Sequence, residues 1–115
     1  MNIFRTLVCV DINRGIREFQ AAAGAVLLDV RSREEYDRKH IEHSLSLPLD
    51  ALDRAAEVIP APDTPVYIYA YGGEHSAKAA SRLEKMGYRN VHNIGGIKKC
   101  CGTQGYQGEY VCELM

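Results

Sequence analysis

The chain carries no excess of charge of either sign: fourteen Lys and Arg face fifteen Asp and Glu, a formal net charge of -1. No stretch gathers basic residues densely enough to follow a phosphate backbone, which argues against a nucleic-acid partner. The one basic cluster, Lys98-Lys99, reads as a solvated turn. No apolar run approaches the roughly 20 residues needed to cross a bilayer, so a soluble chain without a membrane partner is expected. The opening segment MNIFRTLVCV stops at Asp11 without a clear basic region or a small-residue cleavage site, and reads as mature protein. Low-complexity tracts and internal repeats are absent.

Cysteine is sparse. Cys9, Cys100, Cys101 and Cys112 form an even set, but a domain of this size with an aliphatic core needs no disulfide staples, so a reducing, cytoplasmic setting is expected. Cys9 and Cys112 sit in apolar stretches and read as small core residues. There is no tryptophan, and the seven tyrosines are scattered; Tyr36, Tyr67 and Tyr69 are expected to pack and Tyr71 to line a pocket.

What is present is enough apolar sequence for one core. At 115 residues, 46% of them hydrophobic, the chain supports one packed domain, residues 1–115, and is too short for two. Leu7–Val10 is a short strand candidate, followed by Asp11 as an N-cap and a helix carrying Ile12, Ile16 and Phe19 on one face, ending near Gly24. AVLLDV, residues 25–30, is a continuous apolar run of the kind that a parallel strand buried on both faces requires. Ser32 and Glu35 have the spacing of a capping box for a short helix, and SLSLPL is a brief strand closed by Pro48.

DALDRAAEVI predicts a helix burying Leu49, Leu52, Ala56 and Ile59, closed by the prolines of PAPDTP. VYIYAY is the next strand. The helix after it is expected to bury Ala77, Ala80 and Leu83 and to stop at Gly87, and YRNVHNI supplies the last strand. Alternating strands and helices of this length imply an α/β fold with a parallel sheet covered on both faces, with ligands at the carboxyl ends of the strands.

Three segments in order carry a family resemblance: LLDVRSREEYDRKHIEHSLSLPL, VYIYAYGGEHSAKAASRLEKMGY and GYRNVHNIGGI. Together, from about Cys9 to Ile97, they resemble the rhodanese-like domain. The resemblance implies a five-stranded parallel sheet flanked by helices. It also implies sulfurtransferase chemistry, in which a cysteine at a strand end takes a sulfane sulfur and passes it to a thiol or cyanide. A thiolate or persulfide there is stabilised by backbone N–H groups converging at a helix N-terminus. In this chain the corresponding anion cradle is Tyr71, Gly72, Gly73, Glu74, His75 and Ser76, with the glycines expected to permit turns that side chains would obstruct.

Against that pattern, Ala70 occupies the family's cysteine position, so family-style persulfide formation there is chemically impossible. Glu74 adds negative charge to a loop built for anions, and His75 stands where many members have arginine. The tail also inserts KKCCGTQ after the double glycine. Two functional readings follow. In the first, the domain binds a small anion or a protein partner without covalent chemistry. In the second, Cys100 or Cys101 with His75 forms a thiol-imidazole pair, with the loop N–H groups as an oxyanion hole for ester or acyl substrates. A natural degenerate domain and an engineered chain both account for these departures. Phosphatase relatives need the same loop cysteine and are equally disfavoured.

No cofactor is implied. A zinc site from Cys100, Cys101, His75 and His92 matches none of the usual closed spacings. Asp29 with Arg31 reads as a structural ion pair, His40 as a loop anchor and His43 as a surface residue.

Overall fold

The computed structural model of the chain describes residues 12–97. Helix α1 (Ile12–Ala21) buries Ile12, Gly15 and Ile16. Gly15 is inward because the helix lies directly on the strand that carries Ile94: a Cβ there would collide with the side chain of Ile94. Phe19 is half-buried and meets the Tyr67 ring edge-on, with centroids 6.0 Å apart. The chain then reverses at Gly24, whose φ of 73° lies in the left-handed region that glycine enters without steric cost.

Four parallel strands follow: β1 (Val26–Asp29), β2 (Ser44–Ser46), β3 (Val66–Ala70) and β4 (Val91–Gly96). They lie in the order β2-β1-β3-β4. The register pairs Leu28 with Leu45 and Ile68, and Ile68 in turn with Asn93. The fold is therefore the expected α/β arrangement, with four strands among the described residues; the fifth strand candidate, Leu7–Val10, lies outside them.

Every residue of β3 is buried, because the strand has helices on both faces. Its alternation sorts the core. Val66, Ile68 and Ala70 join Leu28, Val30, Leu52, Ala55, Ile59, Ala79 and Leu83 on one face. Tyr67 and Tyr69 join Ile12, Ile16, Leu27, Ile41 and Ile94 on the other. Full burial of such a side chain contributes about 1.5–3 kcal/mol, so the two clusters dominate the stabilisation of this sheet.

Helix α2 (Arg33–Arg38) has the expected capping box, Ser32 Oγ accepting from the Glu35 amide and the Glu35 carboxylate reaching back to the Ser32 amide. Two expectations need correction. DALDRAAEVI is not one α-helix but a 3-10 helix (Leu49–Arg54) running into α3 (Ala55–Val58), with Ala51 leaving helical geometry inside the 3-10 segment. Side chains three apart share a side in a 3-10 turn, so Leu52 and Ala55 are buried and Ala56 is exposed.

In α4 (Gly73–Lys85) the buried stripe is Ser76, Ala79 and Leu83, while Ala77 faces solvent and Ala80 is half-buried. A polar residue displaces the expected alanine because its hydroxyl has a partner on β4. The helix closes at Met86, and Gly87 follows with a φ of 111°.

Candidate functional site

The carboxyl ends of β1, β3 and β4 meet at Ala70. Its methyl group is 1% exposed and belongs to the core cluster on the α4 face. Its carbonyl accepts the Ile97 amide at 2.9 Å, so β4 stays paired with β3 up to this point. Only Tyr71 and Gly72 separate the strand from α4. Gly72 is the N-cap residue, in extended conformation, and no side chain caps the helix. The first-turn amides of α4 are thus left without intrahelical or side-chain acceptors, the arrangement that lets a helix N-terminus hold an anion.

The cradle residues divide by role. Glu74 and His75 are exposed in the first turn of α4. A carboxylate at that end interacts favourably with the helix dipole and competes with an external anion for the same amides. Ser76 is fully buried: its hydroxyl lies 2.6 Å from Asn93 Oδ1 and 3.0 Å from the Gly73 carbonyl. Its side chain therefore faces the sheet, and its amide, the fourth beyond the N-cap, belongs to the intrahelical ladder, so the open amides are those before it.

The expected reason for the glycines is not the one observed. Gly72 and Gly73 have no positive φ, and a Cβ on either meets nothing within 4 Å. The glycine that sterics demand is Gly96. A Cβ there would strike the Tyr71 carbonyl and lie 2.6 Å from the Gly72 Cα. Gly96 reaches that position through a bulge opposite Ile68 and Tyr69, where Gly95 has a φ of 103° and donates its amide to Asn93 Oδ1 at 2.9 Å. Asn93 thus serves two donors. The Asn-x-Gly spacing, which favours an Asx-type turn, was the signal in the sequence.

Beneath the rim lies a buried polar network. Asp29 is fully buried, and Arg31 grips it with Nε at 3.0 Å and Nη2 at 2.7 Å while its own amide bonds Oδ1 at 2.9 Å. The Tyr69 hydroxyl donates to Asp29 Oδ2 at 2.6 Å and accepts the Ile41 amide at 3.1 Å. Burial, the Asp29 charge and the hydrogen bond to it push the Tyr69 phenol well above its usual range. Burial pulls the Arg31 guanidinium down, but the hydrogen bond and charge of Asp29 outweigh it and its pKa is raised. With every charge matched, the Asp29–Arg31 pair fixes the strand end, as a structural pair does.

The histidines lie apart. The His40 Nδ1 is 2.7 Å from the Tyr36 carbonyl and its ring stacks on Tyr36, anchoring the loop after α2. His43 is exposed with a φ of 72°. His92 stacks on Tyr67 and meets Asn90 Oδ1 at 2.7 Å. Cys100 and Cys101, like Cys9 and Cys112, lie outside the described residues, and so do Lys98 and Lys99.

Two depressions flank the rim. One, of about 480 Å³, is lined by Val30, Ser32, Pro48, Leu49, Asp50, Lys78 and Arg82. The other, of about 340 Å³, is lined by Arg31, Glu35, Arg38, Lys39, Tyr71 and Ile97. Tyr71, expected at a pocket, is 54% exposed and lines the second. No helix is long and apolar enough to cross a membrane among the described residues.

With this geometry in hand, the comparisons with known proteins agree on one family. The model of the rhodanese-like domain matches residues 15–102. The chain is 35% identical over 72 residues to the thiosulfate sulfurtransferase PspE of Escherichia coli K12, a match covering 62% of this chain and 69% of that protein. It is 34% identical over 101 residues to the uncharacterized protein YqhL of Bacillus subtilis, covering 87% and 75% respectively. Among solved structures, a rhodanese with anions from E. coli superposes with a TM-score of 0.61 at 33% identity, over 64% of this chain and 88% of the other.

Proposed function

The chain belongs to the rhodanese-like domain family, and from that premise we propose that it is a member without sulfurtransfer at position 70, whose strand-end rim binds a small anion or a protein partner. One observation carries this reading. The seat directly before the uncapped helix holds the Ala70 methyl, which has no lone pair to attack a sulfane sulfur and no proton to lose. The anion-holding parts remain: open first-turn amides, and a loop held down by Gly96. A relative whose name is thiosulfate sulfurtransferase and a neighbour solved with anions support anion recognition at this rim.

In a sulfurtransferase, a thiolate attacks the outer sulfur of thiosulfate, the sulfur-sulfur bond breaks, and sulfite leaves with the electron pair. Ala70 cannot begin that step. The test is peptide-resolved mass spectrometry after thiosulfate treatment. The Ala70→Cys variant is expected to gain one sulfur at residue 70, while the parent chain gains none on the peptide containing it. An Ala70→Cys variant that folds but stays unmodified removes the intact cradle from the reading.

A second reading is favoured by where β4 ends. The Ile97 amide is bonded to Ala70, and Cys100 follows only three residues later, a reach of about 10 Å in extended chain. Cys100 or Cys101 assisted by His75 would then serve ester or acyl substrates. Cysteine-resolved alkylation separates the two readings.

A further inference from the structure

The arginines among the described residues are mostly spoken for. Arg14 pairs with Glu18, Arg33 with Asp37, Arg54 with Glu57, and Arg89 with Asp63. Arg31 is consumed by Asp29, and Arg82 donates to the Leu49 carbonyl. Arg38 and Lys39 make no ion pair among the described residues, and both line the 340 Å³ depression beside Tyr71. The backbone at Lys39 is tied to the strand end: Arg31 Nη2, already bonded to Asp29, also donates to the Lys39 carbonyl at 2.6 Å.

Tyr71 and Ile97 line the same depression. The one acid in the lining, Glu35, has its carboxylate turned to Ser32 in the capping box. A depression of this size, with both cationic and apolar side chains in its lining, suits a small ligand that offers one anionic end and one flat apolar body. A carboxylate matches the guanidinium fork in geometry, and an aromatic body matches the Tyr71 face.

We propose that this depression is a binding site for an aryl carboxylate, its carboxylate held by Arg38 and Lys39 and its ring lying against Tyr71 and Ile97. The proposal rests on the reading that the rim binds ligands without sulfur chemistry at position 70. It places the ligand beside the loop, clear of the exposed Glu74, and not over the α4 amides.

Amide chemical-shift titration of the full chain at constant ionic strength tests it, with benzoate, thiosulfate and benzyl alcohol as separate probes. Benzoate is expected to saturate with its largest shifts at Lys39, Tyr71 and Ile97, and benzyl alcohol to bind at least ten-fold more weakly. Arg38→Gln with Lys39→Gln, two exposed positions, is expected to weaken benzoate at least ten-fold while leaving thiosulfate shifts at residues 72–76 unchanged. If benzoate fails to saturate, or shifts only residues 72–76, the aryl carboxylate site is overturned. Thiosulfate shifts at residues 72–76 in that case leave the anion-binding function standing, and their absence removes both.

Discussion

Gly96 lies directly beneath Gly72, so close that a Cβ on Gly96 would stand 2.6 Å from the Gly72 Cα. The contact is backbone against backbone, and neither side can yield by rotating a side chain. Gly96→Ala is therefore expected to push the Tyr71–Gly72 loop off the sheet and to cost about 1–3 kcal/mol, the usual penalty of overpacking. Gly73→Ala, with open space around its Cβ, is expected to be neutral or to stabilise by up to about 1 kcal/mol. Urea unfolding of the two variants checks the contrast; equal losses would show that the loop is not seated on Gly96.

Asn93 accepts from both the Ser76 hydroxyl and the Gly95 amide, and so ties the first turn of α4 to the bulge in β4. Asn93→Ala strands the buried Gly95 amide and leaves the Ser76 hydroxyl only the longer bond to the Gly73 carbonyl, and a buried orphan costs about 1–3 kcal/mol. Ser76→Ala strands no donor and leaves Asn93 its bond to Gly95. The Asn93 variant is expected to be the less stable of the two by denaturant titration. The reverse order would mean that packing of Ser76, and not the shared acceptor, holds the helix start.

The sheet was legible because its strands are apolar on both faces, and AVLLDV and VYIYAY have no other stable use. The capping box at Ser32 and Glu35 was legible because it is a local bond between neighbours in sequence. What periodicity missed was set by distant contacts. Ala77 and Ser76 differ by one position on α4, and the choice between them is made by Asn93, seventeen residues later. The segment Leu49–Arg54 likewise has a distant partner that no local pattern shows, the bond from Arg82 to the Leu49 carbonyl, thirty-three residues apart. At the rim, Ala70 announced itself by its place after a buried strand, whereas Arg38 and Lys39 belong to no motif of the sequence.

The proposed function predicts ordinary thiols. Iodoacetamide alkylation of Cys100 and Cys101 in the folded chain is expected to follow a pKa near the free-thiol value of about 8.5, and His75→Ala is expected to leave the rates unchanged. Peptide mass spectrometry from about pH 5 to 9 reads both. Rapid alkylation of either cysteine below pH 7 that His75→Ala slows would replace the binding reading with the thiol-imidazole one.

Tyr69 gives the fold an alkaline limit. Its phenol is raised above the ordinary value of 10.0 because the ionised form would be buried against the Asp29 carboxylate. Below pH 10 the phenol is protonated in both folded and unfolded chains, and its contribution to stability is fully present. Above pH 10 the unfolded chain releases this proton while the folded chain keeps it, so stability falls by up to about 1.4 kcal/mol per pH unit. Tyr69→Phe removes that titration together with the bonds to Asp29 and Ile41. It is therefore expected to be less stable at pH 8 but to lose less stability than the parent between pH 10 and 11. Urea midpoints measured at half-unit steps decide the matter, and parallel pH profiles for the two proteins would show that Tyr69 does not set the alkaline limit.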